Sequence, residues 1–228
     1  MKPVRALGPV SRSRRRLSVV GLLVATAVLA SACADSGYTF VGGASTNTYF
    51  KVPRTWKLFT KQQLLVATNL NQSSESAKSF PLLMAFDGDP HPSIKHVLGD
   101  ITTYPAVMAQ VRLLSAAGQD DASLRALRNA WIPTLDQLVA NDGADILSLK
   151  QVVLPGGFHG IRFVYNVSLG GNFNVLQGNQ VLRINQISLL DPATRHLYLL
   201  VVSCIADCYA KNQTLINQIA DSYTVKEH

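Results

Sequence analysis

His196-Leu197-Tyr198-Leu199-Leu200-Val201-Val202-Ser203 is an apolar run in which hydrophobic and polar positions do not alternate. A strand of that composition is a central one, covered on both faces of its sheet. Working outward, Asp191-Pro192-Ala193-Thr194-Arg195 is a connection of hairpin length. It is too short for a parallel crossover, so Val181 to Leu190 must pair antiparallel with the central run. Pro155-Gly156-Gly157 joins Ile146 to Leu154 with Phe158 to Val167 in the same way. Within the latter, Ile161, Phe163, Tyr165 and Val167 share one face by alternation. Four strand-like runs thus form an antiparallel meander, and a central strand buried on both sides requires cover on both faces. The expected class is α+β: an antiparallel sheet of about six strands with helices on both faces, an α/β/α sandwich.

The remaining segments fit around that sheet. Tyr49 to Val52 and Trp56 to Phe59 read as short strands broken by Pro53, which has no N–H for a ladder. Ser79 to Phe86 reads as a strand that stops at the turn Asp87-Gly88-Asp89-Pro90. Pro105 to Ala117, with Thr102 or Thr103 near its cap and Gly118 beyond its end, is predicted to be helical. Leu124, Leu127, Trp131, Leu135 and Leu138 fall on one helical stripe that Pro133 should kink or split. A last helix is predicted over Asp207 to Ser222, with Ile216, Ile219, Ala220 and Tyr223 on its buried side.

The start of the chain has a different logic. Lys2, Arg5, Arg12, Arg14, Arg15 and Arg16 form a basic start, Leu17 to Ala30 is apolar, and small residues lead to Cys33. These are the three parts of an export signal. The apolar stretch is short for a bilayer span and has no basic stop-transfer flank. Leu29-Ala30-Ser31-Ala32-Cys33 resembles the lipobox of bacterial lipoproteins, with Ala30 where Leu is commonest. That resemblance implies removal of residues 1–32 and diacylation of Cys33, and two or three acyl chains anchor stably where one is marginal. The other reading is ordinary signal cleavage near Ala32 with Cys33 left free. Ser13-Arg14-Arg15-Arg16-Leu17 also resembles a twin-arginine signal, so the general and twin-arginine export routes both stay open. Ala34 to Thr48, small, polar and Gly-rich, reads as a tether. The expected organisation is therefore a signal at 1–32, a tether at 33–48 and one domain at 49–228.

Charge and cysteine content change meaning once the signal is set aside. The chain carries 21 Lys and Arg against 14 Asp and Glu, but six of the bases and none of the acids precede Cys33. What remains is 15 against 14, a net of +1, so the basic balance belongs to the leader and gives no support for a nucleic-acid partner. With Cys33 taken by lipid, Cys204 and Cys208 are left in an oxidising compartment and are expected to form a disulfide. Their spacing suits a strand end turning into a helix. A redox or metal pair is the rival, but redox motifs favour two intervening residues and a metal needs more ligands nearby.

Two motifs and the order of elements resemble the PsbP/Mog1-like fold. Phe50-Lys51-Val52-Pro53-Arg54-Thr55-Trp56 is similar to that fold's opening, a strand, Val-Pro, two residues and Trp. Arg54-Thr55 departs from the Gly that often precedes the Trp. Ile219-Ala220-Asp221-Ser222-Tyr223-Thr224-Val225 resembles its closing helix and short strand. With the lipobox, the nearest match is the actinobacterial LpqN-type lipoproteins. The resemblance implies an accessory binding module on the extracytoplasmic face of the cell membrane, with a protein partner in the envelope.

No catalytic set is recognisable: the chain has no Gly-x-Ser-x-Gly elbow, phosphate-cradling loop or His-Glu-x-x-His helix. Asp87, Asp89, His91 and His96 are types that hold a cation, although Asp-Gly-Asp-Pro is more simply a solvated turn. His159 and His196 sit at strand starts as surface or capping residues, and Asp142 and Asp145 shape a Gly turn. No metal and no cofactor are expected. Asn172, Phe173, Asn174 and Gln177 lie in an Asn-rich excursion between strands and are the candidate partner-contact loop. Three classes follow: a non-enzymatic binding or assembly module, a carrier or sensor of an apolar small molecule, and a hydrolase with a dispersed site.

Overall fold

In the computed structural model, which describes residues 37–43, 45–168 and 181–226, the meander forms as its short connections require. Strands β1 (Tyr38–Gly43), β2 (Thr48–Pro53), β3 (Lys57–Phe59), β4 (Leu82–Asp87), β5 (Ala106–Leu113), β6 (Ala144–Val153), β7 (His159–Ser168), β8 (Val181–Leu190), β9 (His196–Ile205) and β10 (Thr224–Val225) form two sheets. The larger has seven strands in the order β3-β4-β5-β9-β8-β7-β6, one more than expected, and every pair is antiparallel. The smaller has the order β1-β2-β10. Pro53 ends β2 in the small sheet, and β3 starts four residues later in the large one.

Helices cover both faces of the large sheet. The short helices α1 (Lys61–Ala67), α2 (Glu75–Lys78), α3 (Ile94–Leu98), α4 (Ala116–Asp120), α5 (Leu124–Arg128) and α6 (Leu135–Ala140) precede β6 in the chain, and α1, α3, α5 and α6 lie on one face. Leu64, Val97, Leu127 and Leu135 of these helices pack with Ile161, Phe163 and Tyr165 of β7 and with Leu197, Leu199 and Val201 of β9. The other face is covered by α7 (Ala206–Asp221) together with the small sheet. There Ile216, Ile219 and Ala220 meet Tyr198, Leu200 and Val202 of β9 and Phe50 and Val52 of β2. The β9 side chains therefore go alternately to the two cores, and for that reason this run shows no polar alternation. Pro133 splits the second helical segment into α5 and α6. Arg128 clamps the break, donating to Asp136 at 3.0 and 3.1 Å. That guanidinium hydrogen bond, ahead of an opposing burial effect, holds the Asp136 carboxyl below its ordinary range.

Two expectations are corrected. Pro105 to Ala117 is not a helix, since Ala106–Leu113 is strand β5 and only α4 follows it. The run is rich in helix formers, but Val107, Ala109 and Val111 enter one core while Ala106 and Met108 enter the other. Burial on both sides at a period of two overrides the weak intrinsic preference. The stretch read as a tether, 33–48, contains β1, which pairs with β2 from Tyr38↔Pro53 to Gly43↔Thr48. The sheet structure of the domain thus includes Tyr38–Gly43, ahead of the expected start at Tyr49. Tyr38 Oη also donates to Gln218 Oε1 at 2.6 Å, fastening the first strand to α7.

Cys204, near the end of β9, and Cys208, in the first turn of α7, stand as a disulfide pair with alpha carbons 5.9 Å apart. Both are buried. The closed loop is short, so replacing both with alanine is expected to cost about 2 kcal/mol. It should appear as a lower urea midpoint at unchanged slope. Loss of secondary structure before denaturant is added would show instead that the bridge is needed for folding.

Candidate functional site

Beyond the cover of α7, the sheet continues through β7 to its edge strand β6, leaving a trough of about 490 Å³. Its floor comes from one face of the meander. Arg162 and Val164 of β7 face the trough, with Arg183 of β8 and Lys150 of β6 beside them. The register sets Lys150 opposite Arg162 and Val164 opposite Asn185, so these side chains share a face. A bulge between Ile146 and Ser148 lets both Leu147 and Ser148 line the space. The wall is a stripe of α7, Tyr209, Gln213, Asn217 and Asp221, each one four residues after the last.

Arg162, Asn185, Asn217, Asp221 and Tyr209 form one hydrogen-bonded network. Arg162 donates through Nε to Asn185 Oδ1 at 3.2 Å, through Nη2 to Asn217 Oδ1 at 3.1 Å, and through Nη1 to Asp221 Oδ1. Asn185, 1 % exposed, donates to the Tyr209 hydroxyl at 3.2 Å. Arg183 donates to Asn166 Oδ1 at 2.8 Å and lies over the Tyr209 ring, 5.6 Å from its centroid. Burial raises the Tyr209 hydroxyl above the ordinary tyrosine range, while Asn185, Arg162 and Arg183 pull the other way. Three cations thus line the trough against one carboxylate. The Asp221 side chain is 65 % exposed, and an ion pair with so wet a partner is worth about 1 kcal/mol or less.

The other candidates are placed as follows. Asp87 is not part of a solvated turn, because it is fully buried. It accepts from the Asp89 N–H at 3.0 Å and the Ser93 N–H at 2.8 Å, and stands 2.8 Å from His96 Nδ1. Asp89 accepts instead from the His91 N–H at 2.8 Å. These carboxylates organise the loop into α3, and among the described residues no group of three or more His, Cys, Asp and Glu is placed to hold a metal ion. His196 Nδ1 meets Asp191 Oδ2 at 2.8 Å and His159 Nδ1 meets the Gly157 carbonyl at 3.1 Å, each bracing its own turn. Cys33 and the contact loop Asn172, Phe173, Asn174 and Gln177 lie outside the described residues, as does the signal. Among the described residues no helix is long and apolar enough to cross a membrane.

The trough was not singled out from the sequence, although its signal is present. Arg162 and Asn166, and Arg183 and Asn185, are polar residues at even spacing in mostly apolar strands. The four-residue stripe on α7 supplies the matching wall.

No family model matches the chain, and no curated protein does. Among solved structures, the chain is similar to the cyanobacterial PsbP of Synechocystis at 10 % identity, with 86 % of this chain and 96 % of that one covered and a TM-score of 0.46. It is similar to the Ran-binding protein Mog1p of Saccharomyces cerevisiae at 9 % identity, with 82 % and 95 % covered and a TM-score of 0.43. A Pseudomonas aeruginosa protein of unknown function, described as a putative regulator, follows at 8 % identity, with 84 % and 99 % covered and a TM-score of 0.36.

Proposed function

We propose that this chain is an exported cell-envelope lipoprotein of the actinobacterial LpqN type. Its domain acts there as a non-enzymatic binding or assembly module for a protein partner. In this reading Cys33 carries the lipid and holds the domain on the extracytoplasmic face of the cell membrane. The observation that carries the binding role is the trough, an open, cation-lined surface built on a rigid sheet beside an edge strand that, among the described residues, has no partner on its outer side. The disulfide pair suits an oxidising compartment. The lining of Arg162, Arg183, Lys150, Asn217 and Asp221 favours a polar partner over an apolar small molecule. The His-Asp pairs brace turns, and neither reaches into the trough.

The experiment is the intact mass of the protein recovered from membranes, for the natural chain and for Cys33→Ala, with thiols alkylated before and after reduction. A chain that begins at acylated Cys33, with Cys204 and Cys208 protected until reduction, is the expected result. An unmodified chain retaining its first 32 residues, or one with both downstream thiols free, overturns the envelope reading.

A further inference from the structure

Strand β6 is the long edge of the large sheet, ten residues against three for β3 at the other edge. Among the described residues no strand pairs with its outer side. Edges of this length are ordinarily blunted by charge, proline or cover. Among the described residues the protection amounts to one bulge at Leu147, with Asp145 and Lys150 as the only charged residues of the strand. Leu147, Leu149 and Val153 are exposed along it. Lys150 directs its side chain to the trough face and, among the described residues, has no ion-pair or hydrogen-bond partner. Arg162, on the neighbouring strand, is held by a carboxylate that water can reach.

We propose that an extended acidic segment of a partner protein adds as a strand to the outer edge of β6. Alternate side chains of that segment would turn to the trough face, where a carboxylate beside Lys150 meets its ammonium and lies in the field of Arg162, one strand further in. This rests on the reading of the domain as a protein-binding module and names the chemistry of what it binds. Strand addition gives affinity through main-chain hydrogen bonds, and the pockets for alternate side chains give selectivity. The charge of the trough selects the occupant. Three cations against one acid favour carboxylates on the face of the segment that turns to the trough, and a strand presents every second side chain to one face. A second copy of this chain fits the edge poorly. Antiparallel pairing of two β6 strands would put both troughs on the same side, with the Lys150 and Arg162 groups of the two copies facing one another.

The test uses the purified folded chain and three synthetic peptides long enough to run along β6. One alternates glutamate and valine, one alternates lysine and valine, and the third is the acidic peptide with the amides that would face β6 N-methylated. Binding is read by fluorescence anisotropy, and strand addition by hydrogen exchange of the β6 amides. The acidic peptide should bind, weaken with salt, and protect β6, while the lysine and N-methylated peptides bind at least about tenfold more weakly. Lys150→Glu should weaken the acidic peptide about tenfold, and Asp221→Asn should tighten it several-fold by removing the one negative charge that lines the trough. Equal binding of the two charged peptides, binding that ignores N-methylation, or an Asp221→Asn variant no tighter than the natural chain would overturn the proposal. So would concentration-dependent dimerisation that protects β6 in the absence of peptide, which would make a second copy the occupant. A partner cross-linked to the domain away from β6 would overturn strand addition while leaving the binding-module reading intact.

Discussion

Gly160→Ala is expected to lower stability by about 3 kcal/mol, the upper end of what overpacking ordinarily costs. A Cβ at Gly160 would lie 2.0 Å from the Ser188 carbonyl oxygen and 2.8 Å from the Leu189 alpha carbon. Both atoms are main chain of β8, and Gly160 is paired with Leu189 in the middle of the meander. No rotamer change relieves such a contact, so the strands must separate at the point where β7 enters the sheet. For a domain of this size the loss corresponds to about 10 °C in melting temperature. Gly118→Ala is the control, because its added methyl meets nothing closer than 3.5 Å and it sits inside α4. That change should be neutral or stabilise by up to about 1 kcal/mol. Urea midpoints that are the same for both variants would show that the β7–β8 pairing gives way more easily than these distances allow.

The second large effect is predicted at Asp87. Replacing it with alanine should cost about 3 kcal/mol, because a buried acceptor is removed while the groups it served remain. The N–H groups of Asp89 and Ser93 and the ring of His96 lose their common partner at once. Asp87→Asn retains one carbonyl acceptor and should fall between the two, whereas Asp89→Ala, on the wetter side of the same loop, should cost about 1 kcal/mol. The measurement is equilibrium unfolding of the three variants, with hydrogen exchange to locate the change. An Asp87→Ala variant as stable as the natural chain would show that water satisfies this loop and that the carboxylate does not organise it.

Both sites show what a single sequence reveals and what it hides. The meander was readable because Pro155-Gly156-Gly157 and the Asp191 to Arg195 turn are too short for anything but hairpins, and because Ile161 to Val167 alternates. The last helix was readable from the spacing of Ile216, Ile219 and Ala220. Strand β5 was not, because Ala106-Val107-Met108-Ala109-Gln110-Val111 has helical propensity, and its two-sided burial is created by neighbours distant in the chain. Strand β1 was missed for a related reason. It is an edge of the small sheet, leaves Phe40 exposed, and therefore carries little hydrophobic pattern. Asp87 reads as a turn residue but ends strand β4, and its carboxylate is met by the later loop through Ser93 and His96. The trough residues are spread over β6, β7, β8 and α7, so no local motif announces them.

The small sheet has a consequence for how the domain comes into being. β2 lies between β1, which precedes it, and β10, which is translated after every other strand of the domain. The clasp is extended by the Lys226 N–H on the Asn47 carbonyl at 2.9 Å and by Ser222 Oγ accepting from the Lys51 N–H at 2.9 Å. A nascent chain is therefore unable to finish its first hairpin's surroundings until the ribosome has made Val225. Until then β2 has one bare edge, and the interval between making Thr48 and making Thr224 is the period in which a chaperone has the most to protect.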